Sequence, residues 1–453
     1  MKLVFVHGWS VTNTDTYGDL PQALINLAAP ELELDIQHLY LGRYISFNDQ
    51  VTLEDIAIAF EAARKRELGD DYFSVITHST GGPVIRAWLD RYYGQTQLET
   101  APLKHLIMLA PANHGSALAQ IGKSRVGRLK AWFDGVEPGQ RVLDWLELGS
   151  DGQHRLNLNW LKYSVSDLGI FPFVLTGETI DPSLYDYMNS YTAEPGSDGV
   201  VRSAAANMNF THIRLIQDPL LTCMGFEGDC VSRLTLDDYQ VPLQECAFEI
   251  IPKASHSQDT MGIMASVTRK NASKKRVVSS ILDCLSVGNN SQYADASKAM
   301  KLRTDKVKKK RRHSMLVVRV SDDLGHKVTD FDLYLLSGPD FHPGKLPKGF
   351  MLDKQKNSHN GNCVTLYLDT KKLHSVAEGK VGVKIVPRPD TGFSYYRTAE
   401  YHSEANQVSR LIKADQTTLL DIVLKRHIHQ ETFTLANTDE TASFESLQGM
   451  QKD

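Results

Sequence analysis

The segment Phe73-Ser-Val-Ile-Thr-His-Ser-Thr-Gly-Gly82 constrains this chain more than any other. Phe73, Val75 and Ile76 read as a short buried strand, and Gly82 to Tyr93 carries helix formers with apolar residues at helical spacing. Only His78, Ser79, Thr80 and Gly81 lie between the strand at 73–77 and this helix, so the strand must turn straight into the helix. A serine at such a turn projects its hydroxyl above the sheet, while small neighbours let strand and helix approach closely. The helix N-terminus places backbone N–H groups, including that of Thr80, where negative charge on a reacting oxygen is stabilised. Ser79 is therefore the candidate nucleophile and Thr80 a candidate oxyanion donor. The pattern departs from G-x-S-x-G at its first position, where Thr77 stands.

Around this junction the sequence alternates short apolar runs with helical segments, as a parallel sheet covered by helices requires. Candidate strands fall at 3–6, 34–40, 73–77, 103–109, 172–176, 212–216 and 247–251. Their continuous apolar character points to burial on both faces. A chain of 453 residues exceeds the size at which one core keeps growing, so two domains are expected. The composition changes after Cys284. Residues 286–297 are rich in Ser, Asn and Ala, and 298–312 hold nine basic residues against the single acid Asp305, so 286–313 reads as an exposed basic linker. Such a run serves either as a solvated hinge or as a contact for anionic lipid headgroups. From Leu316 the apolar period becomes two, in Leu316-Val-Val-Arg-Val, Phe331-Asp-Leu-Tyr-Leu, Val364-Thr-Leu-Tyr-Leu, Val381-Gly-Val-Lys-Ile and Leu420-Asp-Ile-Val-Leu. These runs predict a β-sandwich accessory domain over 314–428, followed by a polar tail over 429–453.

The formal net charge is −4, which gives no global electrostatic argument for nucleic acid or for an anionic membrane. Five cysteines without a CxxC pair do not form a disulfide framework, and pairing of Cys223 with Cys230 is disfavoured if the compartment is reducing. Leu3 to Val6 is too short for a signal-peptide core, and no run approaches the length of a membrane span. The expectation is a chain made soluble in the cytoplasm, any export using a route without a cleaved signal.

A nucleophilic serine needs a base and an acid that orients it. Ala247-Phe-Glu-Ile-Ile-Pro-Lys-Ala-Ser-His256 is a strand followed by a short loop ending in histidine, the placement expected of the base. His78 adjoins the nucleophile, His114 is out of order and His212 opens a strand, so these read as structural. For the acid, Asp198 in Gly196-Ser-Asp-Gly-Val-Val-Arg-Ser203 sits on a glycine-flanked loop, and Asp181 lies nearer the end of the preceding strand as the alternative. His7-Gly8-Trp9-Ser10 follows the first strand, where a second oxyanion donor is expected, and Trp9 is the candidate.

In order, His7-Gly8, Thr77-His-Ser-Thr-Gly81, Leu109-Ala-Pro-Ala-Asn-His-Gly-Ser116, Thr176-Gly177 and Ser197-Asp-Gly-Val-Val201 resemble the lipase branch of the α/β-hydrolases. That branch includes bacterial triacylglycerol lipases, the lecithin–cholesterol acyltransferase group and inositol-deacylase-like proteins. The resemblance covers about residues 1–285. It implies an α/β-hydrolase catalytic domain, with Ser79, Asp198 and His256 at the triad positions and Trp9 and Thr80 at the oxyanion positions. The Asp-Gly-Val-Val match favours Asp198 over Asp181. It also implies a lid in the insertion 116–165, where Trp132, Phe133, Trp145 and Leu146 belong to amphipathic patterns that either cover an acyl pocket or pack on the core. No metal or organic cofactor is required; relatives with a structural calcium would place Asp259 near it, but none is predicted here.

The implied chemistry is acyl transfer to water through an acyl-enzyme, with a lipid ester, such as a glycerophospholipid, as the leading substrate. A soluble carboxylesterase or thioesterase needs the same triad. A lipid- or protein-binding module on the same scaffold is the non-enzymatic alternative. The partners expected are a lipid ester, a membrane surface and a protein docking on the C-terminal domain, with no nucleic acid.

Overall fold

A computed structural model describes residues 1–6, 15–39, 50–94, 96–120, 139–180, 194–223, 230–307, 312–373, 376, 379–404 and 411–433. The chain begins with β1 (Lys2–Val6), α1 (Leu20–Leu27), β2 (Asp35–Leu39), α2 (Leu53–Glu67), β3 (Phe73–His78) and α3 (Gly81–Tyr92). It continues through β4 (Leu103–Leu109), α4 (Gln140–Leu146), α5 (Asp151–Trp160), β5 (Phe171–Thr176) and α6 (Ser203–Ala206). Then come β6 (Thr211–Cys223), β7 (Cys230–Gln240), β8 (Ala247–Ile250), α7 (Arg276–Leu285) and α8 (Asn290–Val307). Six of these strands form a wholly parallel sheet in the order β2-β1-β3-β4-β5-β8. This is the α/β-hydrolase architecture expected from the continuous apolar runs.

Alternate residues of each strand feed two cores. Leu3, Phe5, Ile76, Ile107, Phe173 and Leu175 face Leu20 and Leu24 of α1, Ile281 and Cys284 of α7, and Tyr293 and Met300 of α8. Val4, Val6, Val75, Leu106, Met108 and Val174 face Phe60 of α2, Trp88 of α3, Trp145 of α4 and Trp160 of α5. Each such fully buried side chain stabilises by ~2 kcal/mol through area removed from water. Thr52 and Asp55 form a capping box that starts α2 where the apolar pattern begins, each side chain accepting from the other's backbone N–H, at 3.1 and 2.9 Å.

The strand expected at 212–216 belongs elsewhere. β6 and β7 form a long hairpin that leaves the parallel sheet and enters a second, nine-stranded mixed sheet. Its other strands are β9 (His313–Asp322), β10 (Phe331–Ser337), β11 (Met351–Lys356), β12 (Cys363–Asp369), β13 (Val381–Pro387), β15 (Ala399–His402) and β16 (Thr417–Leu424). A separate short pair joins β14 (Ser394–Tyr395) to β17 (His427–Ile428). The cue was in the sequence: Ile213 and Leu215 are buried while Arg214 between them is exposed, a period of two rather than a continuous apolar run. β6 pairs parallel to β16, and β7 parallel to β15. The β-rich C-terminal domain is therefore built on one continuous sheet that borrows two strands, β6 and β7, from between β5 and β8. Its inner residues Leu316, Val318 and Val320 form their own core, while Met315, Val317, Cys363, Tyr367 and Leu419 join the core over α2 and α3.

The basic linker is also corrected. Residues 290–307 form α8, whose Tyr293, Met300 and Thr304 are buried along one stripe, while the cations face outward. The helix is ordered because it covers the edge strand β8, whose free N–H groups need acceptors. The Ala247 N–H donates to the Tyr293 hydroxyl at 3.1 Å and the Ile250 N–H to Thr304 Oγ1 at 3.0 Å. Lys308 to Arg311 and the tail from 434 lie outside the described residues. Cys246, Cys284 and Cys363 are free and buried, whereas the expectation for Cys223 and Cys230 falls outside the described side chains.

Glu249 of β8, only 1% exposed, is the anchor of this edge: it accepts from Arg276 Nε at 2.9 Å, from Arg303 at 2.9 and 2.8 Å and from Ser280 Oγ at 3.0 Å. Glu249→Ala removes the buried carboxylate that Arg276 and Arg303 share and leaves them only the exposed Asp283, and is expected to lower the unfolding free energy by about 3 kcal/mol. Denaturant titration checks this, and a loss under about 1 kcal/mol, the range of ordinary surface pairs, would contradict it.

Candidate active site

Ser79 follows the last residue of β3 and holds φ at +53°, a left-handed value that costs a non-glycine residue about 1 kcal/mol and is maintained by its surroundings. Its N–H donates to the Leu109 carbonyl at 3.0 Å, tying the turn to β4. The glycines after it are required by contact: a Cβ at Gly82 would lie 2.9 Å from Pro111 Cβ and 3.2 Å from Met108 Sδ. Thr80 immediately precedes α3, at the end where the first-turn N–H groups have no intrahelical acceptor.

Asp198 is fully buried on the loop between β5 and α6. Gly196 at φ +79° and Gly199 at φ +98° fold this loop so tightly that the Val200 and Val201 N–H groups both donate to Asp198 Oδ1, at 3.0 and 2.7 Å. The other oxygen, Oδ2, is left for His256, whose Nδ1 lies 2.9 Å away. His256 sits on the loop after β8, and its own N–H donates to the Asp198 carbonyl at 3.0 Å. Its Nε2 is 3.1 Å from Ser79 Oγ. The carboxylate fixes the tautomer: Nδ1–H donates to Asp198, so Nε2 is free to accept from the Ser79 hydroxyl. All three side chains follow the C-terminal ends of parallel strands, where such sheets place their sites.

The structure thus brings Ser79, Asp198 and His256 together and sets Thr80 beside them. Trp9, Asp181, Trp132 and Phe133 lie outside the described residues. Trp145 and Leu146 are placed: both are buried in the core formed with α2 and α3, at 7% and 2% exposure. An apolar stripe at helical spacing cannot say what it meets, and here it meets the sheet-covering helices. Asp259 is exposed, and among the described residues no cluster of three His, Cys, Asp or Glu side chains is arranged to hold a metal ion.

Two features were not legible from residue types. His78 Nε2–H donates to the His256 carbonyl at 3.0 Å, with the two rings 4.6 Å apart; burial, then repulsion between the two imidazoles when charged, push the His78 pKa down to about 3, keeping it neutral. Arg86, two turns beyond Ser79 on α3, is fully buried, lies 5.1 Å over the Trp160 ring and donates to amide and carbonyl oxygens. Its guanidinium donates to Asn113 Oδ1 at 3.2 Å and Asn157 Oδ1 at 2.8 Å, and Asn113 Nδ2 donates in turn to the Ala206 carbonyl at 2.8 Å. The nucleophile helix, the loop after β4 and the segment after Asp198 are thereby linked. Its position seven residues after Ser79 was the available signal, but an arginine on a helix gives no warning of burial.

A serine, a histidine and an aspartate hydrogen-bonded in series at the carboxyl edge of this sheet define an α/β-hydrolase with a Ser-His-Asp arrangement. No family model matches the sequence, and no curated protein matches it either. Among solved structures, phospholipase PlaB from Legionella pneumophila is similar over nearly the whole length, with 40% identity and a TM-score of 0.86 across 98% of this chain and 97% of that one. The same phospholipase in complex with thio-NAD gives 39% identity and a TM-score of 0.86 across 98% of each chain. The chain belongs to the family of phospholipase PlaB.

Buried histidines make stability depend on pH. His114, beside Asn113, is 2% exposed and burial pushes its pKa down to about 3. His105 of β4 is held neutral between Ser74 Oγ and the Val287 carbonyl, both at 2.7 Å, and burial pushes it down to about 4. Both folded values lie below the ordinary 6.5, so the stabilisation is present above pH 6.5 and is lost as pH falls towards 4. Each histidine contributes a slope approaching ~1.4 kcal/mol per pH unit in that window. Denaturant unfolding at a series of pH values is expected to show falling stability below pH 6.5, and a flat profile down to about pH 5 would contradict it.

Proposed function

We propose that this chain is a phospholipase that cleaves a carboxylic ester of a glycerophospholipid through an acyl-enzyme on Ser79. The observation that carries the reading is the unbroken hydrogen-bond series from Ser79 Oγ through the His256 ring to Asp198, in a chain alike end to end to a phospholipase. His256 Nε2 removes the hydroxyl proton as Ser79 Oγ attacks the ester carbonyl. Asp198 holds the ring and stabilises the imidazolium that forms. The developing oxyanion accepts from the Thr80 N–H, with Trp9, on the loop after β1, as the candidate second donor. His256 then gives its proton to the leaving alcohol, and water repeats the sequence to release the fatty acid. Among the described residues no helix is long and apolar enough to cross a membrane.

The similar structure in complex with thio-NAD adds a second candidate ligand, a nicotinamide dinucleotide. A rise in melting temperature with NAD, saturating with concentration, supports its binding here; no shift at millimolar NAD counts against it.

Ser79→Ala is expected to abolish turnover, and Asp198→Asn to lower kcat roughly ten-thousand-fold while the protein remains folded. Release of fatty acid from dispersed phosphatidylcholine, compared with hydrolysis of a soluble short-chain ester, checks the substrate class. If only the short-chain ester turns over, the chain is a carboxylesterase or thioesterase instead; if neither does and Ser79 resists a fluorophosphonate probe, it is a binding module.

A further inference from the structure

The loop that carries Asp198 is gripped from outside the hydrolase domain. Arg202, on the same loop, is 1% exposed, and its guanidinium donates Nε–H and Nη2–H to the two oxygens of Glu194, each at 2.7 Å. The same Nη2 reaches across to Asp353 Oδ2 of β11 at 2.5 Å, and the guanidinium carbon lies 4.2 Å over the Tyr367 ring of β12. Tyr367 completes the grip by donating its hydroxyl to the Pro195 carbonyl at 2.7 Å. Burial disfavours the Arg202 charge, but Glu194, Tyr367 and Asp353 outweigh it and raise the pKa, so the guanidinium stays charged. Gly196 shows how close the two parts lie: a Cβ there would stand 2.7 Å from both His313 Nδ1 and Tyr367 Oη.

Arg202 also closes the loop. Ser197 and Arg202 are bridged antiparallel, and the Ser203 N–H donates to the Gly196 carbonyl at 2.8 Å, so Asp198 sits on a miniature hairpin whose base is Arg202. Moving the base turns the whole hairpin and with it the direction of Asp198 Oδ2. An exposed loop held only by its own hydrogen bonds would not need a buried arginine shared between two carboxylates, and such a bidentate contact fixes direction as well as distance.

We propose that Arg202 is a positioning residue through which the C-terminal sheet, by Asp353 and Tyr367, sets the aim of Asp198 at His256, so that the accessory domain is part of the catalytic geometry. This inference rests on the Ser79 triad reading. It assigns the sheet a role in the rate of proton transfer rather than in lipid contact alone.

The test uses the full chain and the rate constant for fluorophosphonate labelling of the folded protein, followed across about pH 5 to 9. Asp353→Asn removes a charge that touches none of the three triad side chains, and is expected to slow labelling roughly tenfold at neutral pH. It also moves the acid limb of the profile to lower pH, because an imidazolium whose carboxylate is badly aimed gives up its proton more readily. Tyr367→Phe keeps the ring and deletes only the hydroxyl, with the same change at smaller size, and carries the readout should Asp353→Asn unfold. Asp332→Asn, in an exposed pair with Arg388 on the same sheet, is expected to match wild type. A merely structural contact changes melting temperature and leaves the acid limb in place, so unshifted profiles in both Asp353→Asn and Tyr367→Phe overturn the proposal. Persistent labelling in Ser79→Ala overturns the triad reading itself, and the two failures are thereby told apart.

Discussion

One bond, from His256 Nδ1–H to Asp198 Oδ2 at 2.9 Å, is the constraint around which the rest is arranged. The two residues are far apart in sequence and sit on loops after different strands, so neither loop alone can hold the ring in one tautomer and one direction. The fold supplies the missing stiffness from several sides. Two valine N–H groups occupy Asp198 Oδ1, the Asp198 carbonyl holds the His256 backbone, and the neutral His78 holds the His256 carbonyl. What remains free is one carboxylate oxygen and one ring nitrogen, aligned with the Ser79 hydroxyl. Preorganisation of this kind removes the reorganisation that a flexible triad would need at each proton transfer.

The parallel sheet was legible because strands buried on both faces leave continuous apolar runs, as in β1, β3, β4 and β5. The serine junction was legible for a local reason: a strand and a helix joined by only four residues admit few geometries. Asp198 was harder, since two aspartates fitted the chain order and only a short motif separated them. The structure places Asp198 against His256, and Asp181 lies outside the described residues.

What the sequence concealed is mostly long-range. Nothing local to Ile213 and Leu215 says that β6 pairs with β16 two hundred residues later, although the period of two did mark them as unlike the hydrolase strands. The cationic stretch before β9 looked like a hinge because its charges dominate the composition. Its three buried residues, spaced seven and four apart, were too sparse a stripe to outweigh nine cations. Trp145 and Leu146 show the converse case, in which a clear stripe was visible but not the surface that it meets. Arg86 and Arg202 are the least legible of all, because the burial of an arginine depends on acceptors brought by other elements.

On the proposed function, a phospholipid acyl chain resides transiently on Ser79. Acid-quenching the enzyme during turnover of dipalmitoyl phosphatidylcholine, followed by peptide mass spectrometry, tests it most directly. The account predicts a palmitoyl adduct on the peptide that contains Ser79 and on no other. Turnover without that adduct, or an adduct confined to a different residue, would contradict it.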